Sequence, residues 1–181
     1  MTVNNTELDI ESLYGKTTSP EHIKDSFDRL SVPTGRYIFA ATKVEAVRGA
    51  EDHPVPMLQG REFAHVFGKL TTDDGKKRGN IGFDASWETR KTDQGKMDKP
   101  GQLWGPLLVA LDMKEKGVAE VLDALRQYPV SVYVNESFKV PGEGQYAGRM
   151  VYRTARTEED RKDYRSKGYE GRNFIESISR L

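Results

Sequence analysis

The chain has 181 residues, contains no cysteine, and carries 28 basic and 28 acidic side chains, so its formal net charge is zero. This length predicts one domain with extensions, and the lack of cysteine excludes disulfides and thiolate metal sites. A zero balance argues against a protein that coats nucleic acid through bulk charge alone. No apolar run is long enough to span a membrane, and the first residues lack the features of a signal peptide. We therefore expect a cytoplasmic protein with no membrane contact.

Residues 1–34 are predicted to form an acidic N-terminal extension, with three basic and six acidic side chains. A helix start at Ser19 precedes three apolar residues at helical spacing. These residues are Ile23, Phe27 and Leu30. The pattern predicts a short amphipathic helix whose apolar face could dock on a partner.

Between residues 35 and 154, the pattern is typical of an antiparallel β domain. Aromatic and β-branched residues alternate with polar ones in five segments, which polar turns and loops separate. The predicted strands are 35–47, 61–70, 79–88, 130–138 and 146–154. Two amphipathic stretches within 103–126 predict helix between the third and fourth strands. This is the element order of an OB-fold, so the expected fold class is mainly β (α+β), with a five-stranded antiparallel OB-like barrel at 35–154.

Residues 155–181 are predicted to form a charged, helical C-terminal extension with an apolar end. The apolar residues are Phe174, Ile175, Ile178 and Leu181. We expect this cluster to pack on its own chain or on a neighbouring subunit, because an exposed apolar patch is unfavourable in water. The two terminal extensions are thus candidates for binding a protein partner or a second copy of the chain.

The sequence predicts no catalytic residue, cofactor site or metal site. The three histidines have no metal-ligand spacing, and neither a nucleophile elbow nor a phosphate-binding loop is present. The glycine-rich stretch "PGEGQYAG" joins two strands and opens no helix, so it is interpreted as a turn. We expect a non-enzymatic protein. Scattered carboxylates that form a metal site remain the minor alternative.

The second predicted strand places aromatic and basic side chains together on one face, because alternate residues of a strand point the same way. The residues that share this face are Arg61, Phe63, His65, Phe67 and Lys69. Rings among cations are unusual in a core and typical of a surface that stacks bases and meets phosphates. We therefore expect Phe63 and Phe67 to be partly exposed and to hold a single strand of nucleic acid.

The third predicted strand has a more apolar face, which favours a core position for Phe83 and leaves Trp87 open between core and surface. Basic residues occur in the turn before this strand and in the loop after it. The complete predicted nucleic-acid site is Arg61, Phe63, Phe67, Lys69, Lys76, Lys77, Arg78, Trp87, Arg90 and Lys91. It places rings in the middle and cations at both ends.

Three segments together resemble phage-encoded OB-fold single-stranded-DNA-binding proteins. They are "PTGRYIFAATKVEAVRG", "REFAHVFGKLTTDDGKKRGNIGFDASWE" and a Leu-rich block ahead of "YPVSVYVNESFKV". The resemblance is one of pattern and covers about residues 33–154. It implies an OB barrel, single-strand binding with little sequence preference, a role in replication or recombination, and self-association. One departure is the near-neutral end "RNFIESISRL", where cellular members of this class carry an acidic tail that recruits partners.

Two functions therefore remain open. The first is sequence-tolerant binding of single-stranded DNA in the cytoplasm, which would be the host cytoplasm if the chain is phage-encoded. The second is a structural or protein-interaction role, in a phage particle or a replication complex, that uses the barrel and the terminal extensions. Its support is the zero net charge and the apolar face of each extension.

Overall fold

An antiparallel sheet of six strands dominates the described part of the chain. The computed structural model describes residues 32–53, 56–88 and 95–181, so the predicted N-terminal helix, Arg90 and Lys91 lie outside the described residues. The strands are β1 (Gly35–Arg48), β2 (Glu62–Thr71), β3 (Lys77–Ala85), β4 (Val130–Pro141), β5 (Met150–Thr154) and β6 (Gly171–Ser179). The helices are α1 (Lys99–Ala110), α2 (Val118–Gln127) and α3 (Glu158–Ser166). The prediction of a mainly β, antiparallel fold with helix after the third strand is confirmed.

The long strand β1 belongs to two ladders. Its residues 35–39 pair with β4, and its residues 38–48 pair with β2. A register shift between Ala41 and Lys43 marks a bulge, which bends a strand and increases its twist. The order across the sheet is β3-β2-β1-β4-β5, and β6 pairs with the other edge of β4.

The sheet is not a closed barrel. Strands β3 and β6 lie against each other, but no ladder of hydrogen bonds joins them within the described residues. Val32 bridges them at one end. Its N–H donates to Oδ1 of Asn173 in β6 at 2.8 Å, and its carbonyl accepts from Nδ2 of the same side chain at 2.7 Å. A Cβ added at Gly79 in β3 would lie 3.1 Å from the Val32 side chain.

The C-terminal extension is helical only in part, which corrects the prediction. After α3, the chain forms β6 and adds a sixth strand to the sheet. Ile175 and Ile178 are both buried, although a spacing of three is typical of a helix. A bulge in β6 explains the difference, because the ladder passes from Ile175 opposite Val134 directly to Ser177 opposite Tyr133. The bulge returns Ile178 to the core side. Ile175 and Ile178 thus pack on their own chain, as expected, and Phe174 is half-buried, whereas Leu181 is 60% exposed.

The core lies between the sheet and the first two helices. Inward residues of every strand except β5 meet one face of α1 and one face of α2. The fully buried members include Phe39, Val66, Leu70, Leu107, Val121, Leu125, Val132 and Val134. A side chain of this size contributes about 1.5–3 kcal/mol when fully buried. Phe83 is in this core as predicted, with its ring edge-on to Phe39 at 5.5 Å. Within the described residues, no helix is both long enough and apolar enough to cross a membrane.

Candidate nucleic-acid interface

The outer face of β1, β2 and β3 carries the centre of the predicted site. Register aligns Lys43 of β1, Phe67 of β2 and Gly82 of β3 in one row across the three strands. The next row towards the β2–β3 turn contains Lys69 and Asn80. We call Lys43, Phe67, Lys69, Asn80 and Gly82 the platform. It is a surface with one ring between two lysines.

Phe67 is 42% exposed, which is unusual for a phenylalanine at the centre of a sheet. Its ring lies against the backbone of Gly82, since a Cβ added at Gly82 would be only 3.1 Å from Cδ2 of Phe67. The missing side chain at Gly82 therefore lets the ring lie low on the sheet. Such a ring offers a π-face to a base. The prediction that Phe67 is partly exposed is confirmed.

The row on the other side of Phe67 is acidic. Glu45, His65 and Asp84 are aligned across the three strands, and Nδ1 of His65 lies 2.8 Å from Oδ1 of Asp84. Glu45 also pairs with Nζ of Lys43 at 2.9 Å. The cationic side of the surface is therefore the side towards the β2–β3 turn, where phosphates would be favoured.

The β2–β3 turn is a firmly hydrogen-bonded loop that presents Lys76, Lys77 and Arg78 to solvent. Hydrogen bonds from the Thr72 hydroxyl and then from Lys76 hold the pKa of the Asp74 carboxyl below its ordinary value. Lys76 also pairs with this carboxyl at 2.9 Å. Among the residues that the structure describes, neither Lys77 nor Arg78 forms a direct ion pair, although the charge of Arg78 helps to lower the pKa of Asp74. They are the turn's cations best placed to meet phosphates.

Arg61 is fully buried, which corrects the prediction that it belongs to the exposed face. Its guanidinium donates to the Ser86 hydroxyl at 2.7 Å, to the Asp98 carboxylate and to the Glu88 carbonyl. Asp98 is also the N-cap of α1 and accepts from the Gly101 N–H. Arg61 therefore anchors the start of α1 to β2, and a buried charge of this kind needs such partners.

Phe63 is also buried, at 4% exposure, although it was expected to be exposed beside Phe67. The segment that joins β1 to β2 folds over it, and His53 packs against its ring with centroids 6.5 Å apart. Gly49 and Gly60 fix this segment, because Gly49 donates to the Arg61 carbonyl and accepts from Gly60, both at 2.9 Å. Phe63 is thus part of the folded structure and cannot stack on a base.

Trp87 lies at the margin of the core, so both alternatives that the sequence left open apply in part. Its ring is edge-on to Trp104 of α1 at 5.5 Å, and its Nε1 donates to Glu62 at 3.4 Å. Hydrogen bonds from Arg48, and then from Trp87, hold the pKa of the Glu62 carboxyl below its ordinary value. The half-buried ring belongs to the α1 side of the molecule, away from the row of Phe67.

A second aromatic and basic pair occurs where the sequence predicted only a strand. The Arg172 guanidinium of β6 lies 3.6 Å from the ring centroid of Tyr152 in β5, and Tyr152 is 46% exposed. Lys139 is opposite Tyr152 in the ladder, and Met150 is also exposed. The mixture of rings and cations used for β2 is also present in "YAGRMVYRT". It would have found Tyr152, but not its partner in the distant strand β6.

A groove of about 210 Å³ lies between β3 and β6. Gly82, against which the Phe67 ring rests, lines this groove, and so does Arg172. Asp84, Phe174 and Met57 are further members of the lining. The groove thus contains one neighbour of each exposed ring, whereas the rings of Phe67 and Tyr152 are not part of its lining.

Among the described residues, no three histidine or acidic side chains come together in a way that could hold a metal ion. No protein-family model, curated protein or solved structure matches this chain.

Proposed function

We propose that this protein binds single-stranded DNA with little sequence preference, on the outer face of β1, β2 and β3. The observation that carries the proposal is Phe67, a 42% exposed ring between Lys43 and Lys69 at the centre of a sheet. Exposure of a large ring is unfavourable in water, and a role in base stacking would explain why the Phe67 ring is exposed. The lysines and the Lys77–Arg78 end of the turn supply cations for the backbone.

The proposed architecture is an OB-like barrel that stays open between β3 and β6. Its support is the bulged β1, shared between β2 and β4, and the helices that follow β3. Strand β6, rather than β5, would then be the fifth strand of the barrel, because it pairs with β4 and lies against β3. Strand β5 would belong to a long hairpin beside the binding face, as in OB-folds whose fourth inter-strand loop contacts the ligand.

In this arrangement the strand of DNA would run from Phe67 over Gly82 and along the β3–β6 groove to Tyr152 and Arg172. Bases would stack on the two exposed rings, and phosphates would meet Lys69, Lys139 and the turn. A binding role of this kind needs no catalytic residue and no cofactor. The setting we propose is replication or recombination, in the host cytoplasm for a phage-encoded chain.

The test is fluorescence anisotropy with labelled oligo-dT of about 16 nucleotides, the upper range for one OB-fold. Phe67→Ala should weaken binding about 5- to 150-fold, because stacking contributes about 1–3 kcal/mol per base. The matched control is Tyr128→Ala, which removes a 59% exposed ring after α2, outside the platform. This control should bind as the unmodified chain does.

Duplex DNA of the same length should compete poorly, since paired bases cannot offer their faces to a ring. Failure to bind oligo-dT at low salt, or equal binding of duplex, would remove the proposal. Loss of affinity in Tyr128→Ala as large as in Phe67→Ala would show that the platform is not the site.

A protein-interaction role is the second candidate, and one observation favours it. On α1 and just before it, the exposed residues Met97, Gln102, Gly105 and Val109 are all uncharged. The C-terminal apolar end, by contrast, is occupied within its own chain, because Ile175 and Ile178 are buried in the core.

A further inference from the structure

Strand β5 has a hydrogen-bonded neighbour on one side only. It pairs with β4 and ends the sheet there. Strands β3 and β6 also have a single partner each, but they lie against each other. Among the described residues, no strand pairs with the outer side of β5, which we call the free edge. The exposed residues of β5 are Met150, Tyr152, Arg153 and Thr154. A free edge of a sheet is a template for an added strand.

The ladder with β4 determines which residues of β5 turn their backbone groups to the free edge. At one end of the ladder, the Gly142 N–H donates to the Arg149 carbonyl at 2.7 Å. At the other end, the Ala155 N–H donates to the Glu136 carbonyl at 3.0 Å. Hydrogen-bonded pairs alternate with non-bonded pairs in an antiparallel ladder, and the register between these ends is regular. The residues of β5 in non-bonded pairs are therefore Met150, Tyr152 and Thr154.

Lys139 confirms this alternation from the side of β4. It is opposite Tyr152 in the ladder, and its N–H donates away from β5, to the Glu170 carbonyl at 2.9 Å. The N–H and C=O groups of the three non-bonded residues of β5 point in the other direction, towards the free edge. An extended peptide would find there alternate donors and acceptors at strand spacing.

The free edge is bordered on one face by large apolar side chains. Met150 and Tyr152 are 52% and 46% exposed, and Tyr146, in the turn before β5, is 50% exposed. Because alternate residues of a strand point the same way, Met150 and Tyr152 share one face of β5. Methionine and tyrosine are enriched in protein interfaces, so this face is suited to apolar contacts with a partner.

The opposite face of β5 is cationic, since alternation places Arg149 and Arg153 there. Residues 139–156 contain four basic side chains and one acidic side chain, Glu143, which pairs with Arg153 at 3.4 Å. Within the described ranges, neither Arg149 nor Arg156 forms an ion pair. The hairpin of β4 and β5 therefore carries a local positive charge, although the whole chain is neutral.

We infer that the free edge of β5 binds an extended acidic peptide of a partner protein as an added strand. Backbone hydrogen bonds give such contacts their affinity, and alternate side chains give them specificity. Apolar residues of the peptide lie beside Met150 and Tyr152, and its acidic residues lie beside Arg149 and Arg153. The matching partner segment therefore has acidic residues at every second position, with apolar residues between them.

Two other occupants fit the free edge less well. A second copy of β5 would bring the arginines of both copies together, and like charges across paired strands are destabilising. A nucleic acid would satisfy the cations, but it has no row of alternate N–H and C=O groups to pair with a strand. The inference does not rest on DNA binding. Tyr152 also belongs to the proposed DNA path, so the variants below leave it unchanged.

The test uses the full chain and a fluorescent peptide of about ten residues in which glutamate alternates with valine, a length typical of strands. A peptide of alternating lysine and valine is the control for charge. In anisotropy titrations the acidic peptide should bind at least about tenfold more tightly than the basic one, because opposed charges favour the first and like charges penalise the second. Equal binding of the two peptides, or no binding of the acidic peptide at about 1 mM, would overturn the inference.

Thr154→Pro tests the added strand itself. Proline removes an N–H that points to the free edge, breaks no bond to β4, and is tolerated on edge strands. It should weaken binding of the acidic peptide at least about tenfold, a loss of about 1.4 kcal/mol. The matched control Thr154→Val keeps the N–H and should bind as the unmodified chain does. Unchanged binding in Thr154→Pro, or equal losses in both variants, would show that the peptide uses another surface.

Arg153→Glu tests the choice of partner charge. This variant should lose affinity for the acidic peptide and gain affinity for the basic one, because the sign of the charge beside the free edge is reversed. The control is Lys114→Glu, which makes the same change of charge at an exposed residue outside the hairpin. Identical effects of the two variants would mean that the peptide senses only the overall charge of the chain, which would contradict a site at β5.

Hydrogen exchange on the unmodified chain gives a measurement that needs no substitution. The amides of Met150, Tyr152 and Thr154 should exchange quickly in the free chain and slowly with the acidic peptide. The amides of Val151 and Arg153, which face β4, should be protected in both states. Protection of the three outer amides by oligo-dT but not by the peptide would assign the free edge to nucleic acid and overturn the inference.

Discussion

The two halves of the outer face of β2 have the same alternating pattern of aromatic and basic residues, but one half is buried and the other is exposed. Arg61 and Phe63 are buried, whereas His65, Phe67 and Lys69, which follow in the same alternation, are exposed. The first half lies under the β1–β2 connection and the start of α1, and the second half faces solvent. Alternation thus decides which side chains share a face, but the segments that fold over the strand decide whether that face is covered.

The largest effect should come from removal of the buried carboxylate in the covered half. Asp98→Ala leaves Arg61 buried without its counter-charge and also removes the N-cap of α1. Loss of one partner of a buried pair costs about 3–5 kcal/mol, which urea unfolding would measure. Asp123→Ala, which breaks the exposed pair with Arg126, should cost less than about 1 kcal/mol. Similar costs for the two variants would mean that Arg61 is not held as described.

Exchange of the two phenylalanines for alanine tests the comparison directly. Phe63→Ala should lower the free energy of unfolding by about 3–5 kcal/mol through lost packing. Phe67→Ala should lower it by about 1 kcal/mol or less and act instead on DNA affinity. Thermal unfolding and oligo-dT binding, measured on both variants, should show the two effects crossing over. A large loss of stability in Phe67→Ala would place its ring in the fold rather than in the site.

The cations at the β2–β3 turn should determine part of the salt dependence of oligo-dT binding. Joint replacement of Lys77 and Arg78 by alanine should reduce the salt slope of oligo-dT binding by about 1.4, or about 0.7 per phosphate contact. The control replaces Lys114 and Lys162, two exposed lysines outside the platform. Equal salt slopes for the unmodified chain and both double variants would show that Lys77 and Arg78 do not contact the DNA.

The smallest effect concerns pH and the turn itself. The pKa of Asp74 is lowered in the folded chain, first by the Thr72 hydroxyl and then by Lys76. Its carboxylate therefore stabilises the turn fully above the ordinary value of 3.8, and this stabilisation is lost as the pH falls through the lower folded pKa. Asp74→Asn should unfold more easily than the unmodified chain at pH 6, and the difference should vanish well below pH 3.8. If the difference in stability persisted in acid, the effect would come from the shape of the side chain and not from its charge.

Local pattern was sufficient for most of the strands, for the apolar faces of α1 and α2, and for the exposure of Phe67. It was not sufficient where distant segments meet. The burial of Arg61 depends on Asp98, 37 positions later, and that of Phe63 on a loop without regular pattern. Strand β6 was missed because its bulge gives Ile175 and Ile178 a helical spacing. The pairing of Tyr152 with Arg172 was missed because the two residues lie on different strands.

Val32 and Asn173 are joined by two hydrogen bonds, which we call the clamp. The clamp has a consequence for how the chain folds. The two residues are 141 positions apart, and the clamp joins the first described residue to the last strand of the sheet. During synthesis the N-terminal part emerges first, so Val32 leaves the ribosome long before Asn173 exists. Until β6 is made, one edge of β4 stays unpaired and the polar groups of Val32 have no amide to bind. Because contacts of such long range form slowly, the sheet should be completed late, only after β6 has been made.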